Sequence, residues 1–121
     1  MKKILFFLLF PYILFSQNWS ISSNFIGDGR HHPITFANDN YGFVVSGSYL
    51  NDVFKYDKIN DTWTQLSNFP GSGRGYSYGV SIGDYAYIGF GSTDNGTFPT
   101  DWWRYNMLND SWLQLSNFIG D

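Results

Sequence analysis

Tyr56-Asp57-Lys58-Ile59-Asn60-Asp61-Thr62-Trp63-Thr64-Gln65-Leu66-Ser67-Asn68-Phe69 is answered 49 residues later by Tyr105-Asn106-Met107-Leu108-Asn109-Asp110-Ser111-Trp112-Leu113-Gln114-Leu115-Ser116-Asn117-Phe118. Both stretches keep the tyrosine, the Asn-Asp break, the tryptophan and the Leu-Ser-Asn-Phe close. Tyrosine precedes tryptophan by seven residues in each. Past the close, the chain reads Asn-Phe-Pro-Gly-Ser at 68–72 and Asn-Phe-Ile-Gly-Asp at 117–121; the second pentapeptide already stands at 24–28. Trp19 bears the same relation to Asn24, to within one residue. The copies are spaced by 44 and 49 residues. A period of this size marks stacked supersecondary units, each of which needs a neighbour to bury its apolar face.

Aligning Arg30 with Arg74 brings the two units into register. Asn40-Tyr41-Gly42-Phe43-Val44 then matches Asp84-Tyr85-Ala86-Tyr87-Ile88, and Phe54-Lys55-Tyr56-Asp57 matches Trp103-Arg104-Tyr105-Asn106. The five extra residues of the second unit fall between Gly91 and Asp101. Each unit holds four short apolar runs, at about 32–37, 42–46, 53–57 and 62–66, then 76–82, 85–90, 102–106 and 111–115. The breaks carry Asn38-Asp39-Asn40, Gly83-Asp84, Asn60-Asp61 and Asn109-Asp110, residue types that tolerate positive φ and close hairpins. The vocabulary agrees: glutamate is absent, the only alanines are Ala37 and Ala86, and aromatic residues make up 21% of the chain. Four antiparallel strands per unit describe a propeller blade.

In these residues the chain resembles the kelch-repeat β-propeller family. The resemblance rests on Gly47 and Gly91 after the second strand, Tyr56 and Tyr105 in the third, and Trp63 and Trp112 in the fourth. The family's usual glycine pair is here Ser46-Gly47 and Phe90-Gly91, a departure from the pattern. The implied fold is all-β: an incomplete kelch-type β-propeller of two four-stranded antiparallel blades, about 30–73 and 74–120, within residues 17–121. Residues 17–29 are expected to form the last strand of a preceding or split blade. A propeller closes with about 4–8 blades. The expectation is therefore a fragment of a longer protein, completed by its remaining blades or by self-association. The rings of Trp63 and Trp112 are expected between blades, each contributing on the order of 1.5–3 kcal/mol on burial.

Residues 1–16 read as a secretory signal peptide. Lys2 and Lys3 precede an apolar run at Ile4–Phe15, and Ser16 is a small residue before Gln17. The run is short for a membrane span, so the protein is expected to be secreted or periplasmic, with no membrane association after cleavage. Lys2 and Lys3 account for two of the seven basic residues, leaving five against ten aspartates. That balance argues against nucleic acid as a partner. Without cysteine the chain has no disulfide, thiolate metal site or cysteine nucleophile. Two histidines alone do not make a zinc site, so no metal or other cofactor is expected.

In a four-stranded meander the 2–3 and 4–1 loops share one side of the disc. That side is expected to carry the insertion at 92–100 and both repeated arginines. Arg30 and Arg74 are candidate ligand-binding residues, as forked donors for an acidic peptide or a sugar acid. The structural alternative pairs each with an aspartate or carbonyl of a neighbouring loop, Asp28 being an obvious partner. His31 and His32 are further candidates, since their equivalents, Gly75 and Tyr76, show that the repeat does not demand histidine. Tyr76 completes the candidate set. Asp39, Asp61, Asp84 and Asp110 fall in turns, so turn geometry explains them without catalysis, and no catalytic residue is assigned. Two functions remain open. One is a secreted kelch-repeat interaction module that binds a protein or carbohydrate through the 2–3/4–1 face. The other is a fragment of a kelch-fold carbohydrate-active enzyme such as a sialic acid mutarotase. The kelch-fold galactose oxidases require a cysteine that this segment lacks.

Overall fold

A computed structural model describes residues 19–117 and 119. The leader expected at 1–16 lies outside the described residues, as do Phe118, Gly120 and Asp121 of the last repeat copy. The elements are β1 (Ile34–Ala37), β2 (Tyr41–Val45), β3 (Val53–Asp57), β4 (Thr62–Gln65), β5 (Arg74–Gly75), β6 (Tyr78–Ile82), β7 (Tyr85–Gly89), β8 (Ser92–Thr93), β9 (Trp102–Asn106) and β10 (Ser111–Leu115). No helix occurs among the described residues. The first sheet runs β1-β2-β3-β4 and the second β6-β7-β9-β10, every pairing antiparallel. Each is a blade-like meander, and the two together do not close into a ring.

The repeated Asn-Asp breaks work as expected. Asp61 and Asp110 take equivalent left-handed conformations, φ 51° and 52°. Their carboxylates also accept the hydroxyls of Tyr56 and Tyr105, at 2.6 Å and 2.9 Å. Each turn thereby pins the third-strand tyrosine beside the fourth-strand tryptophan.

Two strands start later than their apolar runs suggest. The run expected at 32–37 pairs only from Ile34. His32 adopts φ 50°, and Pro33 has no N–H to give to a ladder. The run expected at 76–82 pairs only from Tyr78, where β6 begins: Tyr76 breaks direction at φ 58°, and the preceding Arg74–Gly75 pairs with Ser92–Thr93 in a separate two-stranded ladder. His32 and Tyr76 are repeat-equivalent, so the kink belongs to the unit. Residues 19–29 form no strand. They run instead past the first sheet, where the Ser23 N–H donates to Asp61 and the Phe25 ring meets Phe54 and Trp63 edge-on.

Strand alternation assigns the faces. One face of the first sheet carries Ile34, Phe36, Phe43, Val45 and Val53, all buried. It packs on the face of the second sheet that carries Ala86, Ile88, Trp103, Tyr105 and Trp112. β1 lies against β6, where Gly79 makes the close approach possible: a Cβ there would sit 2.4 Å from Ile34 Cγ2. Phe69, in the link between the sheets, is fully buried and meets Trp103 and Trp112 edge-on. Phe25 holds the equivalent place on Trp63.

Candidate functional site: the loop face across the two sheets

The β2–β3 and β7–β9 connections and the entries to β1 and β6 share one end of the sheets, as the meander order requires. Both arginines begin there and turn inward. Arg30 Nη1 and Nη2 donate to the two carboxylate oxygens of Asp52 at 2.6 Å and 2.9 Å. Arg74 repeats the fork on Asp101 at 2.8 Å and 2.9 Å. The Arg74 side chain is fully buried and that of Arg30 nearly so. Each guanidinium lies against the ring that opens its unit, Phe25 for Arg30 and Phe69 for Arg74. Asp28 contributes its backbone carbonyl to Arg30 Nε, not its carboxylate. Burial on its own raises the Asp101 carboxyl. Hydrogen bonds from Arg74 and Trp103, with the Arg74 charge, outweigh burial and hold it below the usual carboxylate range.

The backbone at this end is tied across the units. The Gly47 N–H donates to the Arg74 carbonyl and the Arg74 N–H to the Leu50 carbonyl. Ser46-Gly47 and Phe90-Gly91 both take two successive left-handed conformations, φ 56° and 90°, then 62° and 86°. Ser46 and Phe90 thus take a conformation that glycine adopts freely. The seating is tight, since a Cβ on Gly91 would approach the Gly75 carbonyl oxygen to 2.4 Å.

With the arginines paired, a cluster of rings lies at this end, near a polar cleft lined by Tyr49, Ser72, Thr93, Asp94, Asn95 and Thr97. His32 stacks on Tyr76, centroids 3.9 Å apart and planes 27° apart, so one ring from each unit meets at the boundary. His31 Nδ1 lies 2.9 Å from His32 Nδ1, and the His31 ring stands edge-on to Tyr49. Of the sequence-derived candidates, His31, His32 and Tyr76 therefore form one exposed cluster, while the side chains of Arg30 and Arg74 are buried in ion pairs. Tyr76 also walls a cleft of about 550 Å³, shared with Phe90, Ser92, Phe98, Pro99 and Thr100. A smaller cleft lies on its other side, between His32, Pro33 and Tyr78. Phe98 and Tyr49 were not singled out from the sequence. The signal for Phe98 was its place in the five-residue insertion, the one stretch that the repeat does not explain. Tyr49 carries no such mark.

The opposite end of the sheets holds a cleft of about 510 Å³ between the β1–β2 and β6–β7 turns. Some of its polar groups serve the turns: Asn38 Oδ1 accepts the N–H groups of Asn40 and Tyr41, and the Asp84 carbonyl accepts that of Met107. Among the described residues, no group of three or more His, Cys, Asp or Glu side chains is gathered for a metal ion.

Comparison with known proteins agrees with this architecture. Residues 41–70 match the family model described as the kelch motif. Among solved structures, that of YjhT superposes with a TM-score of 0.61 at 24% identity, over 71% of this chain and 27% of that one. The chain thus spans about a quarter of the length of that relative. No curated protein gives a significant match. Residues 41–70 thus carry a kelch motif, and the two sheets have the fold of blades of an incomplete kelch-type β-propeller.

Proposed function

We propose that the protein is an exported kelch-repeat binding module whose 2–3/4–1 loop face captures a protein or a glycan. The observation that carries this reading is the ring cluster His31, His32, Tyr49 and Tyr76, joined through Tyr76 to the cleft beside Phe98. Packing accounts for Phe69, Trp103, Trp112 and Tyr105, which fill the space between the sheets. The rings of this cluster stand where the two units differ in sequence or length. Loops held by a rigid scaffold are where binding groups concentrate. The export reading rests on Lys2, Lys3 and the apolar run at Ile4–Phe15.

The test is a screen of immobilised peptides and glycans with three forms of the chain: wild type, Tyr49→Ser/Tyr76→Ser on the loop face, and Leu108→Ser on the opposite face. The expected result is a bound class retained by Leu108→Ser and lost by the double variant. Binding that survives the double variant but fails in Leu108→Ser would move the site to the opposite end.

A further inference from the structure

Three features of the loop face bear on the chemistry of its ligand. The first is charge. Repetition of an arginine at each blade entry suggests an anion site, but both guanidiniums are closed on Asp52 and Asp101. No charged side chain lines the cleft between Tyr76 and Phe98. The second is shape. Phe98 is 79% exposed and Tyr76 53% exposed, so two large rings border an opening of about 550 Å³. Tyr76 is braced from the first sheet by His32, which holds its ring in place before any ligand arrives. Ser92 and Thr100, each with a hydroxyl, are among the other residues that line it. The third is the departure from the repeat. Phe98, Pro99 and Thr100 belong to the insertion, and nothing in the first unit corresponds to this cleft.

The geometry points to a neutral pyranose as the ligand of this cleft. One sugar ring of an oligosaccharide would lie flat on Tyr76 or Phe98 through its C–H face, its hydroxyls meeting Ser92 and Thr100. This inference rests on the loop-face reading above and narrows its ligand class. Flat amphipathic rings with a few polar groups suit a ligand that is apolar on its faces and hydroxylated at its edge. A sugar acid is disfavoured because the cleft has no cation to answer a carboxylate. A proline-rich peptide is disfavoured because the rings flank one compact opening and do not line an extended groove.

The experiment uses the full chain and backbone amide shifts in solution. The probes are cellotetraose, xylotetraose and mannotetraose, with tetragalacturonic acid and a proline-rich peptide as competitors in chemistry. The expected result is saturable shifts around Tyr76 and Phe98 with at least one neutral tetrasaccharide. Tyr76→Ala and Phe98→Ala should each weaken that binding at least tenfold, and Leu108→Ala should leave it unchanged. Amide dispersion of each variant shows that its sheets are intact. Shifts at these residues with tetragalacturonic acid or the peptide, and none with neutral sugars, would overturn the pyranose assignment and leave the binding face standing. No response of the cleft to any neutral tetrasaccharide overturns the assignment. Binding mapped only to the Asn38–Asp84 end would overturn both.

Discussion

Arg74 and Asp101 show how a residue that looks functional can serve the fold. A buried guanidinium is tolerated only where its charge and donors are met. Asp101 meets both, and Arg74 also donates to the Ser72 and Phe90 carbonyls. Asp101→Ala would leave the cation buried without its counter-charge, and we expect a loss of about 3–5 kcal/mol in urea unfolding. Arg74→Met combined with Asp101→Leu should cost less than the two single changes added together, because no charge is then left alone. A loss under about 1 kcal/mol for Asp101→Ala would mean that water replaces the carboxylate. The titrating groups set two pH limits. Asp101 is held low for the reasons given above, and Asp61 is lowered by the Tyr56 hydroxyl and the Ser23 N–H. Below about pH 4 the unfolded chain takes up these protons more readily than the folded one, so stability falls as pH drops through the folded values. Tyr105 moves the other way: burial, then the bond to Asp110 and its charge, push its pKa up. Above about pH 10 the unfolded tyrosine releases a proton that the folded one keeps, so stability falls as pH rises. Urea midpoints across the pH range should show both limbs, and Tyr105→Phe should flatten the alkaline one. An unchanged alkaline slope in Tyr105→Phe would remove that tyrosine as its cause.

β1 and β6 are the elements through which one sheet meets the other, and Gly79 is the point of closest approach. Gly79→Ala sets its methyl into Ile34 Cγ2, with Phe36 and Ile88 close behind. We expect it to cost about 1–3 kcal/mol despite the better strand propensity of alanine. Ile34→Ala removes the obstructing methyl, so the double variant should be more stable than the two single losses predict, by calorimetry or urea titration. Additive losses would place the strain elsewhere. The strands themselves were legible in the sequence because their signals are local. Alternation, Asn-Asp breaks and the tyrosine–tryptophan spacing act within about ten residues. What needed the structure were contacts set by the angle between sheets. Asp28 is the aspartate nearest Arg30 in sequence, yet the carboxylate that binds it lies 22 residues away, and that of Arg74 lies 27 away. The His32–Tyr76 stack spans two units and follows from their shared left-handed kink, which neither residue type announces. The late start of β6 within the 76–82 run has the same origin, since hydropathy carries no record of φ at Tyr76.

The repeat also shows what the second sheet presents outward. Tyr78, Val80, Tyr85 and Tyr87 are the counterparts of Ile34, Phe36, Tyr41 and Phe43, the face that the first sheet buries on the second. The cation–π pair of Arg104 on Tyr85 repeats that of Lys55 on Tyr41. Yet Tyr78 is 76% exposed, Ile82 65% and Val80 54%. A second copy of the chain offers an imperfect cover. Its first sheet carries Thr35 where the second carries Gly79, and it would meet Tyr78 where Gly79 meets the smaller Ile34. Docking in the native register is therefore obstructed at its closest point, while the apolar driving force remains. We expect weak, reversible and polydisperse association by sedimentation velocity, rising with concentration, together with binding of an apolar dye. Tyr78→Thr/Val80→Thr/Ile82→Thr should abolish both and barely change the unfolding midpoint, because these side chains touch water already. A single discrete oligomer would show that the register accommodates Thr35 after all, and a monomer in the high micromolar range would show that this face needs no cover.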